Sequence, residues 1–344
     1  MKVLFVGLGG IGQRHLRNLV KLKGDSVRIY AYRVRREGFV LNNRLEITDN
    51  DLEERYHIHV VESLEEAFHT GMDCVFICNP SSMHMEILLE AVRHGCHVFV
   101  EKPLSHTYEC VDELEGLLLE KPVTTFVGYQ NRFHPCIIKA GQLLKDKAVG
   151  RVIMVDVEIG ESVKLWHTYE DYRRMYACRS ELGGGVVLSQ IHELDYLISF
   201  FGMPESIYAV GGKLSDLEAD VEDVASIIMK YRLEGKTVPV TVREDYLQNP
   251  PTRRCKILGT EGRIEFDLLS SRLWVYDGTG GLSLEETYEF ERNDMFLEEM
   301  QIFLDETEGK RGPEGIPVSE GLKSLKVALL VKKSLETGRV MQVL

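Results

Sequence analysis

The chain has 344 residues, 44% apolar and 28% charged, room for two ordinary domains and the balance of a globular protein. Asp and Glu outnumber Lys and Arg by 54 to 41, a net charge of −13. That excludes a general binder of nucleic acid or of anionic membrane, since an acidic surface repels both polyanions. Seven scattered cysteines, with no Cys-x-x-Cys pair, give no basis for a zinc ribbon or a redox dithiol. No metal site is expected, and a reduced, cytoplasmic protein fits this usage.

No basic-then-apolar leader precedes the first strand, and no apolar run nears a membrane span, so the mature chain is expected to start at Met1. KVLFVG reads as a buried strand and IGQRHLRNLVKL as the helix after it. VRIYAYR is a second strand. IHVVES leads into a helix that opens on Ser63, with Glu66 three residues on in the form of a capping box. DCVFIC, HMEILLEAVRHG and HVFVEKP follow as strand, helix and strand; Thr107 to Leu119 reads as a helix, and TTFVGYQ closes the series. This alternation predicts an α/β fold, a Rossmann-type doubly wound parallel sheet with helices on both faces, over residues 1–127.

The rhythm changes in residues 128–344. A helix through Ile137 to Leu144 precedes the strand RVIMVDVEIG and a helical region near His192. A run of mostly alternating strands follows, joined by turns such as Glu234-Gly235 and Asp277-Gly278, and two helices close the chain. This second α/β domain is expected to hold a largely antiparallel sheet, open on one face. No flexible linker separates the halves, so close docking is expected.

The first turn carries Gly7, Gly9 and Gly12 in the spacing GxGxxG, after a strand and opening a helix. In that setting the glycines permit a tight turn, close approach of a pyrophosphate and close helix packing, and the helix start offers free N–H donors. NAD sites usually place a carboxylate at the end of the next strand; here that position is Arg33, with Arg35 and Arg36 behind it. An arginine there pairs with a 2′-phosphate, so NADP(H) is favoured over NAD(H), which stays possible. The competing reading leaves these arginines solvated on a loop.

EKP, Glu101 to Pro103, stands at the carboxyl end of a strand, where open parallel sheets bind ligands. In GGGVVLSQIHELDYL, His192 and Asp195 share one helix face. Each is weak alone. Taken in order, VGLGGIGQRH, ICNPSSMH, EKP, GYQNRFHP and GGG…HELD resemble the glucose–fructose oxidoreductase and inositol dehydrogenase family, Gfo/Idh/MocA, over essentially the whole chain. The resemblance implies a nicotinamide-dependent oxidoreductase acting on a sugar, polyol or nucleotide-linked sugar. It also implies a homodimer or homotetramer formed through the second sheet.

Residue by residue, the resemblance implies that Gly7, Gly9, Ile11 and Gly12 line the pyrophosphate site. Asn79, Pro80, Ser81 and His84 would follow the ribose and nicotinamide; Glu101 and Lys102 match EKP, and Gln130, Asn131 and Arg132 the domain junction. Lys102 would polarise the substrate hydroxyl, with His192 as acid/base and Asp195 its companion. Many members carry an Asp four residues before that histidine; this chain has Leu188. Between the first strand of the second domain and the His192 helix, Tyr172, Arg173 and Arg179 suit a sugar bearing phosphate or carboxylate, or else a packing contact. A non-catalytic dinucleotide-binding regulator and an imine or bilin-type reductase are the alternative functions.

Overall fold

Runs such as KVLFV and CVFI lack alternation, and the computed structural model, which describes residues 1–35, 37–167 and 169–343, buries them almost completely. They are β1 (Lys2–Val6) and β4 (Cys74–Ile77) of a six-stranded parallel sheet, with β2 (Arg28–Tyr32), β3 (His59–Val61), β5 (His97–Glu101) and β6 (Thr125–Gly128). The order is β3-β2-β1-β4-β5-β6, so the chain reverses direction across the sheet beside β1. Ligands bind at that switch point in doubly wound folds. The register aligns Phe5, Phe76, Phe99 and Phe126 across four strands, with successive rings 5.0, 5.2 and 5.2 Å apart.

Helices α1 (Gly10–Lys23), α2 (His84–Arg93) and α3 (Val111–Glu120) belong to this half. α3 starts later than the expected Thr107, whose N–H turns back to Ser105 Oγ, an alternative to the helix ladder. Ser63 does cap its helix, accepting the Glu66 N–H at 3.1 Å; the Glu66 carboxylate instead accepts from Glu62 N–H, so the box is half made.

Residues 152–342 build a nine-stranded sheet: β7 (Val152–Gly160), β8 (Ser206–Gly212), β9 (Val224–Leu233), β10 (Lys236–Asp245), β11 (Thr252–Gly259), β12 (Gly262–Asp267), β13 (Arg272–Asp277), β14 (Leu282–Thr287) and β15 (Met341–Gln342). The order is β14-β13-β12-β11-β7-β10-β9-β8-β15, antiparallel throughout except β7 against β10. VASIIMKYRL of β9 alternates buried and exposed, as a sheet with one covered face requires. At Asp277 the expected two-residue turn is a wider loop, in which the Asp277 carboxylate accepts the N–H groups of Thr279 and Gly281.

Four more helices complete the frame: α4 (Pro135–Lys145), α5 (His192–Phe201), α6 (Arg292–Thr307) and α7 (Val318–Thr337). α6 leaves the second sheet and packs on the first, where Phe303 meets Phe76, Phe99 and Phe126 edge-on at 5.6, 5.6 and 6.3 Å. The carbonyl of Ile316 accepts from Val127 N–H on the edge strand β6. The two halves are therefore tied by core packing. No helix among the described residues is long and apolar enough to cross a membrane.

Candidate active site

The chain leaves β1 through Gly7 at φ +92°, where a Cβ would lie 2.9 Å from the Asn79 backbone nitrogen. A Cβ on Gly12 would fall 2.2 Å from the Gly7 carbonyl oxygen, so only glycine lets α1 pack this close. Gly9 differs: a Cβ there would meet nothing within 4 Å. α1 begins with no side-chain cap and no acidic residue in its first turn, leaving N–H donors for an anion. Ile11 packs, partly buried, against the core beside them. The Asn79 Oδ1 atom is buried and without a partner. Open space at Gly9, free donors and an orphaned amide oxygen together fit a dinucleotide.

The other strand ends divide into residues facing this space and residues that brace it. Asn79 and Pro80 are partly exposed. Ser81 donates to the Gly183 carbonyl at 3.1 Å and is 2% exposed. His84 is 1% exposed, with Nδ1 2.9 Å from the Pro103 carbonyl and Nε2 2.8 Å from that of Asn79. Burial pushes its pKa down. Ser81 and His84 thus pin the strand ends to the loops around them. Arg33 stands at the end of β2, 7% exposed, donating to Glu53 Oε1 at 2.8 Å and to the Glu37 carbonyl. Its charge is therefore engaged within the protein, by a Glu53 side chain that is 44% exposed. Arg36 lies outside the described residues.

β5 ends on Glu101, which accepts the Lys102 backbone N–H at 3.2 Å. The Lys102 ammonium donates to the Ser189 carbonyl at 2.8 Å, three residues before His192, so EKP lies beside the segment that leads into HELD. His192 is 4% exposed and has the Gln130 amide nitrogen 3.1 Å from its Nε2; its Nδ1 has no partner. An imidazole ordinarily titrates near neutrality. Instead burial, and then the charges of Lys102, Arg253 and Arg292, drive it well below that value. The ring is neutral at pH 7, a base with its lone pair intact.

Asp195 shares the face of α5 but makes a different contact. Its carboxylate takes a two-pronged bond from Arg132, at 2.8 Å on each oxygen, and a third bond from Ser324 at 2.8 Å. At 1% exposure it locks Arg132, α5 and α7 together and is not open to substrate; Arg132, engaged by that fork, likewise faces the junction. Leu188, four residues before His192, is 1% exposed within the core.

Tyr172, Arg173 and Arg179 do not join this group. Arg173 is held by Asp171 and Glu218, Arg179 by Glu181, and the Tyr172 hydroxyl accepts from Glu218 N–H, all at the surface. The cations felt at His192 are instead Arg253, forked onto the buried Glu193 at 2.8 and 2.9 Å, and Arg292 in the first turn of α6. Arg292 is exposed, and the surrounding protein and then Arg253 hold its pKa below the usual value. No local pattern marked either arginine. Tyr169, unremarked in the sequence, brings its hydroxyl to Gly10 at the start of α1, with its ring 5.6 Å from Phe39.

The sequence model described as "Oxidoreductase family, NAD-binding Rossmann fold" matches residues 1–129, and the "GFO/IDH/MocA C-terminal domain" matches residues 137–265. A myo-inositol 2-dehydrogenase of Thermotoga maritima is 26% identical over 98% of this chain and 97% of its own. Among solved structures, the WlbA dehydrogenase of Bordetella pertussis, in complex with NADH and UDP-GlcNAcA, superposes with a TM-score of 0.79 at 20% identity, covering 100% and 99% of the two chains. A levoglucosan dehydrogenase bound to NADH and levoglucosan gives 0.80 at 16% identity, with the same coverage. With the dinucleotide cradle of the first sheet and both family domains in one chain, this protein belongs to the Gfo/Idh/MocA family of NAD-binding oxidoreductases.

Proposed function

We propose that the protein is a nicotinamide-dependent dehydrogenase that interconverts a secondary hydroxyl and a ketone on a sugar, polyol or nucleotide-linked sugar. The observation that carries this reading is the Lys102 ammonium bonded to the Ser189 carbonyl beside His192, an acidic donor and a neutral base at one cleft. Gly7, Gly9, Gly12 and Asn79 would hold the dinucleotide, whose nicotinamide supplies the two-electron acceptor. His192 takes the hydroxyl proton on Nε2, the ring nitrogen whose lone pair accepts from the Gln130 amide until substrate displaces it. Lys102 donates to the same substrate oxygen and steadies its developing negative charge. Glu53 and Arg33 support a preference for NADP(H): a 2′-phosphate can replace the half-exposed Glu53 carboxylate on the guanidinium.

Arg292 extends the reading to the substrate. A cation near His192 suits a sugar carrying an acidic group, a role the sequence had suggested for Arg173 and Arg179. The exposed apolar residues Tyr208, Val210 and Ile228 support a homodimer or homotetramer formed through the second sheet. Seven free cysteines support a cytoplasmic setting.

Nicotinamide absorbance, followed with NAD⁺ or NADP⁺ across neutral sugars, uronates, sugar phosphates and sugar nucleotides, tests the function. Turnover is expected, with R292A raising KM for acidic substrates by about tenfold. Dinucleotide that binds but keeps its redox state across the panel contradicts it and favours the regulator. In thermal-shift titrations NADP(H) is expected to stabilise more than NAD(H), and R33D to reverse the order. Stabilisation by NAD(H) alone overturns the Arg33 assignment.

A further inference from the structure

Beneath the Glu101–Lys102 loop lies a cluster that the proposed chemistry does not use. His15 comes from α1, Glu101 from the end of β5 and Glu299 from the middle of α6. Their exposures are 0%, 5% and 0%, and one ring nitrogen or carboxylate oxygen from each lies within 4.8 Å of the other two. Phe76, Phe99 and Phe296 surround the imidazole at 6.1, 4.8 and 6.1 Å between ring centres, so the dielectric is low. His15 Nε2 is 2.6 Å from Glu101 Oε1, a short hydrogen bond, and the other Glu101 oxygen accepts the Lys102 N–H. Both oxygens of Glu299 are buried without a hydrogen-bond partner.

Two carboxylates this close in an apolar pocket cannot both stay ionised, and a single imidazole can balance only one of them. The other titratable or charged groups nearby do not supply a second cation to Glu299. Arg14, on α1, faces Glu101 but donates to Asn293 and the Asn43 carbonyl, and the Cys78 thiol, just past β4, is pushed far up by burial. A metal ion fits poorly. Ligands on one divalent ion, with bonds of about 2.0–2.2 Å, stand roughly 3 Å or more apart. The His15–Glu101 contact leaves room for a proton only.

We propose that Glu299 is a neutral carboxylic acid that leaves Glu101 as the anion held between His15 and the Lys102 N–H, and so acts as a positioning residue, through Glu101, on Lys102. α6 belongs to the second half of the chain, so the same proton ties that half's docking to the lysine's aim. The effect on turnover rests on the dehydrogenase reading; the protonation state does not.

Infrared difference spectra of the purified full-length protein at pH 7, parent against E299Q, test it directly. The expected result is loss of one protonated-carboxyl C=O stretching band in E299Q. In kinetics, E299A is expected to lower kcat by about tenfold or more with little change in dinucleotide KM, and E299Q, which keeps shape and neutrality, to restore it. Should E299A fail to fold, the infrared comparison of E299Q still decides the matter. Absence of that band from the parent overturns the proposal, as does stoichiometric metal in the purified protein that E299Q releases. A band lost on E299Q in a protein that turns over no sugar supports the protonation and refutes only the dehydrogenase reading.

Discussion

Gly9 and Gly12 sit three residues apart in one turn and answer to different demands. Gly12 is required by packing, because its Cβ would strike the Gly7 carbonyl; Gly9 faces open space and is required only by a ligand. G9A should therefore melt within about a degree of the parent without ligand while losing most of the dinucleotide-induced rise, and G12A should lose several degrees outright. An unchanged dinucleotide shift in G9A contradicts the cradle. At His192 the sign of the pH effect follows from burial. Neutral imidazole is the active form for alcohol oxidation and is the form favoured above a pKa held well below its ordinary value. kcat/KM for oxidation should hold flat as pH falls from about 8 past about 6.5, with any acid limb lower still. An acid limb near ~6.5 that vanishes in H192N contradicts that assignment.

Elements were legible where their cause is local, and sites were legible where a motif names them. The unbroken apolar runs of β1 and β4, the alternation of β9 and the glycine turn all follow from neighbouring residues, and the structure carries them as read. The spacing of His192 and Asp195 was legible too. The destination of Asp195 was not, because Arg132 and Ser324 reach it from a short turn and a helix far along the chain. α6 hides the most. Its sequence reads as a helix, but nothing local says that it crosses to the first sheet, buries Glu299 and seats Phe303 on three aligned rings. Phe303→Ala should cost about 3–5 kcal/mol in urea unfolding, as a fully buried aromatic lost from a rigid stack. A loss under about 1 kcal/mol would mean α6 is dispensable to the first sheet.

The two large sheets have opposite fates. The parallel sheet is covered and builds the cofactor end, whereas the mixed sheet leaves an outer face on which Tyr208 pairs in register with Ile228, both exposed. An exposed apolar stripe on an open sheet face is the surface on which the proposed self-association rests. Sedimentation equilibrium at micromolar protein should give a dimer or tetramer, and V210D with I228D should yield a folded monomer. A monomeric parent contradicts the assembly.

The central claim joins the two halves at Lys102 and His192, and single-turnover nicotinamide absorbance tests it most directly, using any substrate the panel yields. The account predicts that H192A and K102A bind the dinucleotide as the parent does but reduce it at least about a hundredfold more slowly. Parent-like turnover in both variants would contradict it.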